Sequence, residues 1–421
     1  MRKITTILKS ILLPSMRGAR RSFIPSLTGG LGWVFILTSC IRLPELHLYD
    51  SAETDFDIPI VDLDLEVIWD YEIGYNITYD WKLEWFYGWD VKDKEIFGDI
   101  GYAEPKIFNM RRYYTGDVPY DHHTQVQSHV LYEPHFHGNF EWGFWDILIW
   151  NEVTTLDGVQ SLHFDETSSL DTVVAYTNPS MQPSRYQAPR YTNSFWAPEA
   201  LFAAYDRGIE INKDLDGFEY DKERGIYVKK LNMTLQPITY IYLTQVILHN
   251  NKGRITAVDG NANLSGMART TTLNTGVAGE DAITIYFNTR MKKDIPLIPY
   301  DPETASDPAA HADPSAERVD IIGGRLLSFG LCNQAGNRVS RASELTDKYN
   351  HYLDVTMQFN NGMDSTFVFD VTEQVRERYK GGVITVELNV DDVPIPQRSG
   401  GSGFNAVVKD FEDGGTWEFD M

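Results

Sequence analysis

From residue 61 to 91 every odd position is apolar or aromatic: Val61, Leu63, Leu65, Val67, Trp69, Tyr71, Ile73, Tyr75, Ile77, Tyr79, Trp81, Leu83, Trp85, Tyr87, Trp89 and Val91. Even positions are mostly polar, among them Asp62, Asp64, Glu66, Asp70, Glu72, Asp80, Lys82 and Glu84. A period of two predicts β-strands with one buried face. As one strand the run would reach about 100 Å at ~3.3 Å per residue, too long for a domain. It is therefore expected to fold back near Gly74-Tyr75-Asn76. Cross-strand partners share a face, and both legs point inward at odd positions. The connection must then leave an odd number of residues unpaired, not the common two. The same parity assigns Trp69, Trp81, Trp85 and Trp89 to a core.

Further strands are expected at 138–150, 226–236, 238–249, 253–258, 282–290, 319–332, 351–359 and 364–370, then at 382–390, 403–411 and 416–420. The stretches "HNNKG" (249–253), "NNG" (360–362) and "DGG" (413–415) read as hairpin turns. Helical signal is sparse. Pro198 opens a short segment through Asp206, and 371–380 places Val371, Val375 and Tyr379 on one face before Gly381-Gly382 stops it. Close turns in a nearly all-β chain favour antiparallel β-sandwiches. The loop 212–225 is expected to divide them into domains of 58–224 and 225–421. Residues 294–317, rich in Pro, Ala and acids, read as an exposed mobile insertion.

The N-terminus changes the picture. Residues 1–39 hold six basic residues, no acid and an apolar stretch from Phe23 to Leu37, the form of a secretion signal. That stretch, broken by Pro25 and glycines, is too short to span a membrane. Met16, ahead of "RGARR", is an alternative start. Leu37-Thr38-Ser39-Cys40 resembles the bacterial lipobox, whose thiol is acylated before cleavage just ahead of it. Cys40 is thus the expected lipidation site, and 40–57 a polar tether. Ile41 stands where an aspartate would retain a lipoprotein in the inner membrane, so the outer membrane is the expected location.

The formal net charge is −23. Loss of the six N-terminal bases leaves 31 of the 37 basic residues against 60 acidic ones, a net of −29. Such a surface repels phosphate backbones and excludes nucleic acid as a partner. With Cys40 acylated, Cys332 has no cysteine to pair with and no disulfide framework exists.

Candidate chemistry is thin. His122, His123, His129, His135 and His137 cluster, and His135-x-His137 on a strand would put both rings on one face, a spacing open to a metal. No cysteine or acidic signature accompanies them and the segment reads as a loop, so no metal or other cofactor is assigned. "DLDGFEYD" (214–221) has its glycine too early for an EF-hand and reads as an acidic turn. Trp142 and Trp196 lie outside the inward parity and are the candidates for stacking on a glycan. No H-E-x-x-H, G-x-S-x-G or phosphate loop is present, and the chain is read as non-enzymatic.

The lipobox with "SCIRLPELHLYD", together with "VDLDLEVIWDYE", "WGFWDILIWN", "DGNANLSGM", "FNNGMDSTFVFDVT" and "AVVKDFEDGGTWEF", resembles a group of Bacteroidota lipoproteins of uncharacterised function. That group is similar to the fimbrillin-like proteins, the subunits and anchors of type V pili. The resemblance covers 40–421. It implies two tandem transthyretin-like β-sandwich domains and polymerisation by strand donation after cleavage at an arginine. Here no arginine lies between Arg42 and Arg111, so the first strands cannot be released in that way. The expected role is an anchor or accessory subunit of a surface filament or adhesin, partnered by other subunits. A glycan-binding surface lipoprotein is the alternative.

Overall fold

A computed structural model describes residues 60–67, 73, 79–153, 161–166, 172–180, 194–301, 315–333 and 348–397, with the backbone of 405–408 and 418–419. The alternating stretch begins as a strand, Ile60–Val67 (β1), and buries Val61 and Leu63 completely. The returning strand expected towards residue 91 is replaced by other structure. Trp81–Glu84 is a turn of 3-10 helix capped by Asp80, residues 85–90 are irregular, and Val91–Phe97 (α1) is a short helix. Asp90 accepts from the Asp93 amide, and Asp93 accepts from the Asp90 amide. This reciprocal capping box satisfies two donors at a helix start and overrides the alternation. With no hairpin partner here, the expected odd-length connection falls away.

The first large sheet continues with Phe108–Gly116 (β2), Gln125–Leu131 (β3), His135–Asn139 (β4) and Gly143–Asn151 (β5). Three short strands follow, Leu162–Asp165 (β6), Val174–Thr177 (β7) and Ser194–Trp196 (β8). The sheet then resumes with Phe202–Ile211 (β9), Phe218–Asp221 (β10) and Ile226–Pro237 (β11). Its order is β3-β2-β5-β9-β11-β1-β4, with β10 beside β11. β9 and β11 pair only through Phe202–Ala203 and Gln236–Pro237, and the sheet turns over on itself there. Val61 and Leu63 thereby meet Met110, Ile147, Phe202 and Leu235 in one core.

Residues after Pro198 enter β9, not the expected helix. Phe202 and Ala204 face this core while Ala203 faces another, so the segment is buried on both sides and loses its alternation. Loop 212–225 contains β10, which pairs with β11 across residue 225. The chain changes sheet further on, at Ile238-Thr239.

The second large sheet is built from Tyr240–His249 (β12), Ile255–Ala268 (β13), Ala282–Pro296 (β15), Arg318–Ser328 (β16), Tyr352–Phe359 (β17) and Asp364–Asp370 (β18). Thr372–Glu377 (α2) forms where a helix is expected, ahead of Gly382–Asn389 (β19), Asn405–Val408 (β20) and Glu418–Phe419 (β21). The order is β19-β12-β16-β15-β13-β17-β18-β20-β21, with β8 beside β15. Thr270–Thr272 (β14) joins β7 and β6 in a small third sheet.

β15 belongs to both halves of this sandwich. Ala282–Asn288 pairs with β13, and the later part, Thr289–Pro296, pairs with β16. The "HNNKG" turn does not close a hairpin, because β16 and β19 occupy both edges of β12 while β15 and β17 occupy those of β13. It carries the chain between halves, with Asn250, Lys252 and Gly253 at positive φ. "NNG" does close a hairpin, β17 with β18. The "DGG" turn lies outside the described residues, although the flanking β20 and β21 pair antiparallel.

Residues 79–102 lie as a cap on the outer face of the second sheet. Trp81, Trp85 and Tyr87 pack with Ile241, Leu243, Ile247, Ile321 and Val383. β12 is therefore buried on both faces, which explains its nearly unbroken apolar sequence. Gln245, fully buried beneath the cap, uses its whole amide. Oε1 accepts from the Phe86 and Tyr87 amides (3.0 and 3.3 Å), and Nε2 donates to Glu84 O and Thr385 Oγ1 (2.6 and 2.9 Å). Gly323 admits the Tyr87 ring, for a Cβ there would stand 2.5 Å from it. At its far end, fully buried Asp93 meets Arg290 (2.6 Å) and Lys292 (2.5 Å) of β15. The expected insertion starts inside β15, and Tyr300 stacks on Trp81 at 6.0 Å, so its first residues are packed. Residues 302–314 lie outside the described set. Phe56–Met421 forms one compact unit, an all-β sandwich architecture with few short helices.

Candidate functional site: the first strand and its histidine–aspartate ladder

β1 is an interior strand. It runs parallel to β11, Ile60–Val67 against Val228–Leu235, and antiparallel to β4, Ile60–Asp64 against Asn139–His135. Alternation now has its ordinary meaning: Val61 and Leu63 enter the core while Asp62, Asp64 and Glu66 face outward. Every outward acid has a partner. His135 Nδ1 lies 2.7 Å from Asp64 Oδ1, and His137 Nδ1 bonds Asp62 Oδ1. Arg224 Nη1 is 3.5 Å from the other Asp62 oxygen, Lys230 stands beside Asp62 in register, and Thr234 Oγ1 donates to Glu66 (3.2 Å).

The segment carrying His135 and His137, read as a loop, is strand β4. Both histidines are exposed on one face, with Phe136 turned towards the core. Among the described residues no group of three or more His, Cys, Asp or Glu is placed to hold a metal. Around "DLDGFEYD", Glu219 pairs with Lys230 (2.8 Å) and Asp221 accepts from the Glu223 and Arg224 amides, as an acidic turn requires.

The other histidines part company with these two. His123 Nε2 bonds Asp146 (2.9 Å), a fully buried acid at a bulge of β5 that also accepts from Tyr205 (3.1 Å), Arg207 (3.3 Å) and the Gly208 amide (2.8 Å). Burial pushes the Asp146 pKa up, but these donors outweigh it and hold it below the usual carboxylate range. This cluster pins the bulge to β9 and is structural.

Trp142 and Trp196 separate. Trp142 is half-buried and packs against the first core, with its carbonyl accepting from Tyr114 (2.7 Å). Trp196, also half-buried, meets Tyr286 edge-to-face at 5.7 Å on the second sheet. Cys40 lies outside the described residues, as does Trp69. Cys332 is buried in the core beneath the small third sheet. Among the described residues no helix is long and apolar enough to cross a membrane.

Reasoning from sequence missed Asp354. It sits at an even position of β17, where alternation suggests solvent, yet it is 2% exposed and neither carboxylate oxygen has a hydrogen-bond partner. Its cross-strand neighbours are Asn263 and Val368. Burial drives its pKa up to about 8. Nothing local in "YLDVTMQF" marks it, because the burial comes from tertiary structure.

No family model and no curated protein matches the sequence. Similar solved structures come from Bacteroidota. A candidate adhesin from Bacteroides ovatus is 15% identical, with a TM-score of 0.44, over 82% of this chain and 96% of that one. The fimbrial anchor protein Mfa2 from Porphyromonas gingivalis is 8% identical, with a TM-score of 0.33, over 86% and 95%. A candidate polysaccharide-binding protein from Bacteroides thetaiotaomicron is 8% identical, with a TM-score of 0.35, over 83% and 91%. At these values the functional reading rests on the chain's own residues.

Proposed function

We propose that this chain is a non-enzymatic outer-membrane lipoprotein of fimbrillin-like type, an anchor or accessory subunit of a surface filament or adhesin. Cys40 is its attachment point. The observation carrying this reading is β1, which buries Val61 and Leu63 while pairing along both edges. A subunit that donated or vacated this strand would open two apolar sockets and strip backbone partners from β11 and β4. With no arginine between Arg42 and Arg111, cleavage by an arginine-specific protease leaves it in place. Nineteen residues lie between Cys40 and Ile60, a reach of at most about 70 Å. The protein is held at the membrane while other subunits assemble on it.

In the native host, palmitate labelling should mark the wild type, and Cys40→Ala should shift it from the membrane fraction to the soluble one. N-terminal analysis of the mature protein should recover residues 60–67 still attached. A Cys40→Ala protein that stays with the membrane, or a mature chain starting beyond Val67, rejects the reading.

Trp196 and Tyr286 favour a second reading, glycan binding. Calorimetry with host and plant polysaccharides tests it, with Trp196→Ala expected to abolish the heat; no heat with the wild type removes it.

A further inference from the structure

We propose that His135 and His137 form a surface site for a late first-row divalent cation, Zn²⁺, Ni²⁺ or Cu²⁺, bound by two imidazoles and water. The site is independent of how the chain is anchored. Residues i and i+2 of a strand project from one face, about 6.6 Å apart at the backbone, and β4 puts both rings there with side chains 41% and 42% exposed. An ionised aspartate only accepts hydrogen bonds. With Asp64 on Nδ1 of His135 and Asp62 on Nδ1 of His137, each neutral ring carries its proton on Nδ1. Both Nε2 lone pairs are then left for a ligand.

A carboxylate holding the far nitrogen of the ring is the arrangement that orients metal-ligating histidines and raises their basicity. Here it occurs twice in register, because Asp62↔His137 and Asp64↔His135 are direct cross-strand partners. Arg224 Nη1 lies 3.5 Å from the other oxygen of Asp62 and keeps that carboxylate paired. No third His, Cys, Asp or Glu completes a ligand set among the described residues, so water fills the remaining positions and the ion is exchangeable. Imidazole donors select zinc, nickel and copper over calcium and magnesium.

Titration calorimetry of the full chain with ZnCl₂ and NiCl₂ is the test, with CaCl₂ and MgCl₂ as controls. One saturable site in the micromolar range is expected for the first two and none for the controls. His135→Gln and His137→Gln should each weaken binding at least tenfold, and Asp64→Ala, at an exposed position, about tenfold. Circular dichroism checks that each variant keeps its strands. No saturable binding to the wild type, or binding that survives in the double histidine variant, overturns the site. Unchanged affinity in Asp64→Ala overturns the orienting role of the aspartates.

Discussion

Asp354→Asn should make the protein more stable than the wild type by a margin that grows from about 1 kcal/mol at pH 5 to a few kcal/mol at pH 8. The folded protein keeps the Asp354 carboxyl protonated up to about pH 8, because burial without a hydrogen-bond partner disfavours the charge. The unfolded chain ionises near pH 4. Between those values the unfolded state binds fewer protons, so stability is fully present below the unfolded pKa and falls as pH rises through the folded one. The loss is at most about 1.4 kcal/mol per pH unit. Asparagine resembles the protonated acid and removes the dependence. Other groups contribute slopes of their own: His129, pushed down by burial and by Arg112, favours higher pH, and Asp146 loses its contribution only at acid pH. These are common to both proteins and cancel in the difference. Denaturant melts of both at pH 5, 6.5 and 8 provide the check, and parallel curves would refute it.

Trp85→Ala should cost about 3–5 kcal/mol, the range for emptying a large aromatic site. Trp85 is fully buried, donates from Nε1 to Gly88 O (3.2 Å) and packs against Tyr87 at 5.5 Å. Its carbonyl accepts from the Tyr300 amide (2.7 Å). Removing it should loosen the cap from the second sheet, so limited proteolysis should cut first within 79–102. Urea unfolding measures the energy; a loss under 1 kcal/mol would mean that the cap adds little to the sheet beneath it.

The first strand was legible because only one of its faces is buried, and period two survives that. It failed to extend to residue 91 for a reason visible in single residues. Trp81, Trp85 and Tyr87 are buried as parity predicts, but Leu83 is 63% exposed and Val91 77%, which no strand with an odd inner face would allow. Alternation there recorded an aromatic cap with a helix start, and the Asp90–Asp93 box was the local sign of it. Segments buried on both faces, β9 and β12, hide their strand character in the opposite way. Of the candidate site, the spacing of His135 and His137 was readable, whereas their aspartate partners stand 71 and 75 positions away and depend on register. Asp354 could not be seen at all, since burial of an outward position depends on what the whole fold lays over it.

The parallel alignment of β1 and β11 also has a mechanical consequence. A pull on the chain ahead of Ile60 acts along the axis of β1. Eight residues in register with β11 and five with β4 then resist in shear, sharing the load together where a hairpin would unzip bond by bond. Under the proposed attachment through Cys40, tension would enter the fold along this ladder.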